Sequence, residues 1–169
     1  MNSLSLRTRM LLLPVAAVVL SFGLSACSAT PTPIERDETG EVAEANESAD
    51  VFSMAVGDCT NDDESAGTEV STVAVVPCSE PHDNEAYLSA DLTGDEYPGD
   101  EEVAAQADTI CYDAFADFVG LDYDSSRLAY FPYTPTQESW DGADDREVLC
   151  MVYDASYAKL TGSVAGIAE

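Results

Sequence analysis

Hydrophobic and polar positions divide the chain into three stretches of different character. Met10-Leu11-Leu12-Leu13 through Val18-Val19-Leu20 form one short apolar run. Ser28 to Asp50 has no apolar periodicity and is dominated by charged and small residues. From Val51 the pattern becomes that of a folded domain. Val70 to Val76 is a β-branched run, expected as a buried strand. Ala86, Leu88, Ala90 and Leu92 alternate with Glu85, Tyr87, Ser89 and Asp91, which predicts a half-buried strand. The turn between them holds Pro77, Pro81, Asp83 and Asn84, so the two strands are expected to pair as neighbours.

The strongest helix signal follows. Pro98-Gly99-Asp100-Glu101-Glu102 supplies a breaker, a capping carboxylate and negative charge for a first turn. Val103, Ala107, Ile110, Cys111, Ala114, Phe115 and Phe118 then share one face at helical spacing, and Gly120 suits the position after the C-cap. Arg127 to Phe131 reads as a strand closed by Pro132, and Thr134 to Asp145 as a polar loop carrying Trp140. Glu147 to Tyr153 is a further strand with Val148, Cys150 and Val152 on one face and Leu149, Met151 and Tyr153 on the other. Tyr157 to Val164 is expected as a last short strand. The fold class is α+β: a small, mostly antiparallel sheet packed against one main helix.

The apolar run changes meaning because of what flanks it. Arg7 and Arg9 precede it, and Leu24-Ser25-Ala26-Cys27 ends it. Basic residues, an apolar run and then small residues form the layout of a secretory signal, and the run is too short for the roughly 20 residues of a membrane span. A cysteine after Leu-Ser-Ala resembles a bacterial lipobox, whose cysteine receives a diacylglycerol and becomes the new N-terminus. The expected organisation is therefore residues 1–26 removed, Cys27 lipidated on a disordered acidic tether over 27–50, and one domain over 51–169. Two acyl chains suffice for stable anchoring. The expected place is the extracytoplasmic face of the cell membrane.

Charge narrows the partners. Of 33 acidic residues none lies before Glu35, while Arg36, Arg127, Arg146 and Lys159 are the basic residues left, so the mature chain carries −29. Nucleic acid is excluded as an electrostatic partner, since such binding needs basic side chains to displace phosphate counterions. Cationic partners are favoured instead.

Cys59, Cys78, Cys111 and Cys150 remain after Cys27, an even number in an oxidising compartment, which implies two disulfides with three connectivities. Cys59–Cys78 and Cys111–Cys150 are favoured, the first stapling the start of the domain to a strand and the second joining helix to strand. They would contribute about 3 and about 4 kcal/mol on a loop-entropy model. Zinc is disfavoured, because Cys78 and His82 have no Cys-x2-Cys partner pair and the compartment oxidises thiols. No cofactor is expected. His82, the single histidine, is read as a turn residue, and without a Gly-x-Ser-x-Gly elbow no catalytic triad is indicated. Calcium would have to use Asp141-Gly142-Ala143-Asp144-Asp145 or Asp58–Glu64, neither of which matches an EF-hand loop.

The order Val56-Gly57-Asp58-Cys59, then Val76-Pro77-Cys78-Ser79-Glu80-Pro81-His82-Asp83-Asn84-Glu85, resembles the septum-formation family of actinobacterial envelope proteins. Tyr97-Pro98-Gly99, Cys111 with Phe115, Pro135, Trp140, Asp145-Arg146, Cys150 and Gly162-Ser163 extend the likeness over about residues 55–165. Ala86 departs from it, standing where a β-branched residue often follows the glutamate. The resemblance implies an exported disulfide-bearing domain on a membrane anchor, with no catalytic residues to carry over. The resulting expectation is a non-enzymatic lipoprotein that binds an envelope protein or cell-wall polymer, with an exposed surface at Pro81, His82 and Trp140. A wall-acting enzyme using paired carboxylates and a calcium-binding envelope protein are the alternatives.

Overall fold

Alternation along Glu147–Asp154 sets the architecture. This strand, β6, sends Val148, Cys150 and Val152 to one apolar cluster and Leu149 and Met151 to another. A strand buried on both faces must lie inside a sheet, and β6 does. The computed structural model describes residues 31–62 and 70–169. In it β1 (Asn46–Asp50), β2 (Cys59–Asn61), β3 (Thr72–Val76), β4 (Asn84–Asp91), β5 (Leu128–Tyr133) and β6 form one six-stranded sheet in the order β1-β3-β2-β4-β6-β5. Every pairing of named strands is antiparallel. The expected α+β class, main helix and two disulfides are all present.

The main helix, α1, spans Asp100–Val119 and buries Val103, Ala107, Cys111, Phe115 and Val119 against one face of the sheet. Its end is as expected: Gly120 takes the left-handed conformation (φ 83°) and its N–H returns to Ala116 O. Its start differs. Gly99 is the N-cap and makes no side-chain cap, while Asp100 accepts a hydrogen bond from Tyr97 Oη at 2.7 Å. Cys111 meets Cys150 of β6 and Cys59 meets Cys78, as favoured. Tyr87, placed on the polar side of β4 by simple alternation, is buried instead. The β4–β6 register slips between Ala86 and Leu88, which turns Tyr87 into the α1 face, where its hydroxyl donates to Cys111 O at 2.7 Å.

The opposite face of the sheet corrects the expectation of a disordered tether over 27–50. Residues 27–30 lie outside the described residues, but Thr32–Asp50 is ordered. Thr32 bridges to Ala49, Arg36 to Val42, and Asn46–Asp50 pairs with β3 as an edge strand. Val42, Ala49 and Met54 are buried there with Val73, Val75, Ala86, Leu149 and Met151. The physical reason is a long-range clasp: both Arg36 guanidinium nitrogens donate to the Asp58 carboxylate, at 2.6 and 2.8 Å. Asp58 is 1% exposed. A buried carboxylate needs such a partner, and it orders a segment whose own apolar content is low.

Four further expectations are corrected. The strands over Val70–Val76 and Ala86–Leu92 are not neighbours, because β2 pairs with both β3 and β4 and lies between them. Pro132 does not close its strand, because β5 is the sheet's edge, where a missing N–H is tolerated. The polar loop after it contains α2 (Gln137–Ala143), started by a reciprocal cap between Thr136 and Ser139. Tyr157–Val164 is no strand. It makes only a bridge, between Leu160 and His82.

Candidate functional site: an acidic-rimmed groove and a buried histidine

Among the described residues, the face away from α1 is only partly covered. Val51 and Phe52 after β1, Val70 and Ser71 before β3, Phe131 to Tyr133 of β5 and Thr134 after it wall a cavity of about 800 Å³. Thr136, Ser139 and Ala143, on or beside α2, close its side. Since β1 and β5 are opposite edges of the sheet yet both ends contribute walls, the sheet curls around this face. The volume lies in the range of sites that hold small ligands or part of a chain.

Its chemistry is two-toned. The floor is apolar, with Phe131 and Leu149 packed on the second cluster, and Phe52 at the edge is 60% exposed. The rim is acidic, with Glu138, Asp145 and Glu147, and among the described residues no basic one lines it. Two of the three carboxylates are fixed. Ser89 Oγ donates to Glu147 at 2.6 Å, and Asp145 accepts from Ser139 Oγ at 2.8 Å and from the Glu147 N–H at 3.0 Å. Burial pushes the Tyr133 phenol above its ordinary value, so it stays neutral at the groove wall. A ligand with an apolar body and a positive charge matches this arrangement.

The residues expected to form an exposed surface are placed otherwise. Pro81 is exposed, but Trp140 is 2% exposed and His82 fully buried. They also lie apart, His82 just before β4 and Trp140 against the segment after it. Trp140 anchors α2: its Nε1 donates to Asp95 O at 3.3 Å, Tyr97 packs edge-on, and the Arg146 guanidinium lies 3.7 Å above its ring. That is a core role, so Trp140 to Ala is expected to cost fold stability rather than binding alone.

His82 is held between main-chain hydrogen bonds to Leu160 at 3.1 and 2.8 Å. Its Nδ1 lies 2.8 Å from Glu80 O, a geometry that places the proton on Nδ1. Among the described residues, His82 Nε2 is the buried side-chain polar atom left without a partner. It sits beside Cys59 and Glu85, and ligating atoms of the three lie within 4.8 Å of one another. Glu85 is itself oriented, accepting from Ser163 Oγ at 2.6 Å and from the Val164 N–H at 2.7 Å.

The calcium candidates do not converge. Asp144 turns out to Arg146 at 3.1 Å with its side chain 93% exposed, and Asp145 is used as above. Asp58 is spent on Arg36, while Asp63 and Glu64 lie outside the described residues. Sequence reasoning missed the groove because it treated Val51 and Phe52 as the mere start of the domain. The signal that could have found it was the second apolar face of β6, for which the sequence offers no second long helix.

Fold and site together define a small disulfide-bonded α+β domain with a ligand-sized groove on one sheet face. The chain belongs to the Septum formation family, which it matches over residues 56–168. It is 30% identical over 114 residues to the protein named "Putative lipoprotein LppN" of Mycobacterium tuberculosis, and equally to its namesake of Mycobacterium bovis. The match covers 66% of this chain and 62% of each relative. No solved structure matches the chain. Among the described residues, no helix is long and apolar enough to cross a membrane.

Proposed function

We propose that the protein is a lipoprotein anchored through Cys27 on the extracytoplasmic face of the membrane. Its domain is a non-catalytic module that grips a basic, partly apolar peptide segment of an envelope protein. Support for the anchor comes from the Leu24-Ser25-Ala26-Cys27 sequence and from relatives described as lipoproteins. Support for the module comes from one observation above all, the groove with an apolar floor and three carboxylates on its rim. The family's description makes the division septum the first place to look for the partner.

The ordered segment from Thr32 shortens the leash. Four peptide units separate Cys27 from Pro31, a covalent reach of at most about 14 Å. An anchored domain would thus ride close to the membrane, and its partner would be a protein near the bilayer.

The anchor is tested by fractionation: the Cys27→Ala chain is expected to leave the membrane fraction. The groove is tested by titrating the full chain, in detergent and 0.5 M salt, with synthetic hexapeptides that combine lysine with leucine and phenylalanine. Binding is expected for these and not for their lysine-acetylated forms. High salt removes the indiscriminate attraction of so acidic a protein. Equal binding of acetylated and free peptides, or none of either, would sink the groove reading.

A further inference from the structure

The corner around His82 lies outside the groove, and its geometry supports a second site. We propose that reduction of Cys59–Cys78 turns this corner into a binding site for a zinc-class divalent cation, with Cys59, Cys78, His82 and Glu85 as its four ligands.

Three of the four ligands are already assembled, and the fourth is bonded to one of them. Cys59 Sγ, a His82 ring nitrogen and a Glu85 oxygen lie within 4.8 Å of one another, and Cys78 Sγ is bonded to Cys59 Sγ. Two sulfurs, one nitrogen and one oxygen make a donor set that suits tetrahedral zinc. Oxidised, the sulfurs are bound to each other and make poor ligands, so the disulfide holds the site off. Reduced, they supply two thiolates.

His82 is prepared as a ligand in a way that a turn histidine need not be. Its Nδ1–H faces the Glu80 carbonyl at 2.8 Å, which leaves the Nε2 lone pair buried and, among the described residues, without a partner. Metal-bound histidines are oriented by this same kind of second hydrogen bond. Glu85 has outer support too, from Ser163 Oγ and the Val164 N–H. Without a ligand, a buried imidazole nitrogen beside a disulfide is an unmet polar group. A cation would satisfy it.

The switching chemistry balances with a dithiol donor, the reductant class of thioredoxin-like oxidoreductases. Cys78 is partly accessible and Cys59 fully buried, so the donor thiolate attacks Cys78 Sγ. The S–S bond breaks and Cys59 leaves as a thiolate. A second donor thiol resolves the mixed disulfide, giving two protein thiols and an oxidised donor. Cation binding then releases the two thiol protons. The cation also closes the chain loop that the disulfide had closed, so the corner keeps a cross-link in either state.

The test uses the full chain in detergent, reduced with a phosphine that is then removed, and cobalt(II) as probe with zinc(II) in competition. The reduced chain is expected to take up one cobalt, showing intense tetrahedral visible bands and a near-ultraviolet thiolate-to-cobalt band, while the oxidised chain shows neither. Zinc should abolish both bands. His82→Gln and Glu85→Gln should each weaken uptake by about tenfold or more, since even outer-shell changes at such sites cost about 10–100-fold. Equal uptake by oxidised and reduced chains, or unchanged affinity in both variants, would overturn the proposal. If reduction loosens the fold, zinc is expected to restore the circular dichroism of the unmutated chain and not of His82→Gln. Failure to restore it would overturn the proposal equally.

Discussion

The two faces of the sheet are closed by opposite means. On one, a 20-residue helix lays a continuous apolar stripe on β4, β5 and β6, and Cys111–Cys150 ties it down. On the other, an acidic strap from Thr32 to Met54 pairs with β3 through β1 and packs few apolar side chains on the face. The helix satisfies its own backbone and needs only a stripe of side chains to dock. The strap is held by long-range bonds: the Thr32 N–H reaches Ser48 O within it, and Arg36 reaches Asp58 beyond it. The first arrangement buries a continuous apolar cluster. The second leaves an opening, and the opening is the groove. Core-making and site-making are thus divided between the two faces of one sheet.

The comparison can be broken most severely on the helix side. Phe115 is fully buried among Tyr87, Tyr123 and Tyr130. Phe115→Ala is expected to destabilise by about 3–5 kcal/mol, visible as a large fall in the thermal midpoint. On the strap side the matching change is Arg36→Met. It leaves Asp58 buried with its charge unpaired, at a cost of about 3 kcal/mol. Hydrogen exchange tells the two apart. Arg36→Met should speed exchange in β1 and β3 and spare α1, whereas a strap without a clasping role would show no such locality.

What was legible in the sequence follows the same division. The helix side is written in local periodicity: the stripe from Val103 to Phe118, the alternation of β6, and Gly120 at the helix end. The Cys111–Cys150 pairing was readable because that bond joins a helix and a strand that periodicity had already placed, whereas Cys59 lies on β2, which no periodicity marked. The strap was not legible, since Arg36 and Asp58 are 22 residues apart and neither advertises the other. Helix α2 has only seven residues, too few for a periodic signal, although Thr136 and Ser139 stand at capping spacing. His82 looked like a turn residue, and its burial comes from Leu160, far along the chain. Exposure was the weakest inference. Trp140 in a polar loop and His82 beside a proline both read as surface, and both are interior.

Asp154 makes one part of the stability depend on pH. At the end of β6 its carboxylate accepts from the Ser156 hydroxyl and N–H and from Arg127, which hold its pKa below the ordinary carboxylate value. A depressed folded pKa contributes stability that is complete above the unfolded value, about 3.9, and is lost as pH falls through the folded value. Asp154→Asn should therefore cost about 1 kcal/mol at pH 7. The gap from the unmutated chain should narrow below about pH 4. A gap independent of pH would mean that Asp154 acts through packing.

The smallest effect on stability should accompany the largest effect on binding. Phe52 stands at the groove edge, 60% exposed, on the turn between β1 and Met54. Its removal opens no core cavity, so Phe52→Ala should shift stability by less than about 0.5 kcal/mol. If the strap exists to leave a groove, the same change should weaken the lysine-bearing hexapeptides about tenfold, the loss expected when an exposed aromatic anchor is truncated. Phe115→Ala should do the reverse, lowering the melting point while the chain that remains folded binds peptide unchanged. A Phe52→Ala chain that melts early and binds normally would make the groove edge part of the core, and the division between the faces would fail.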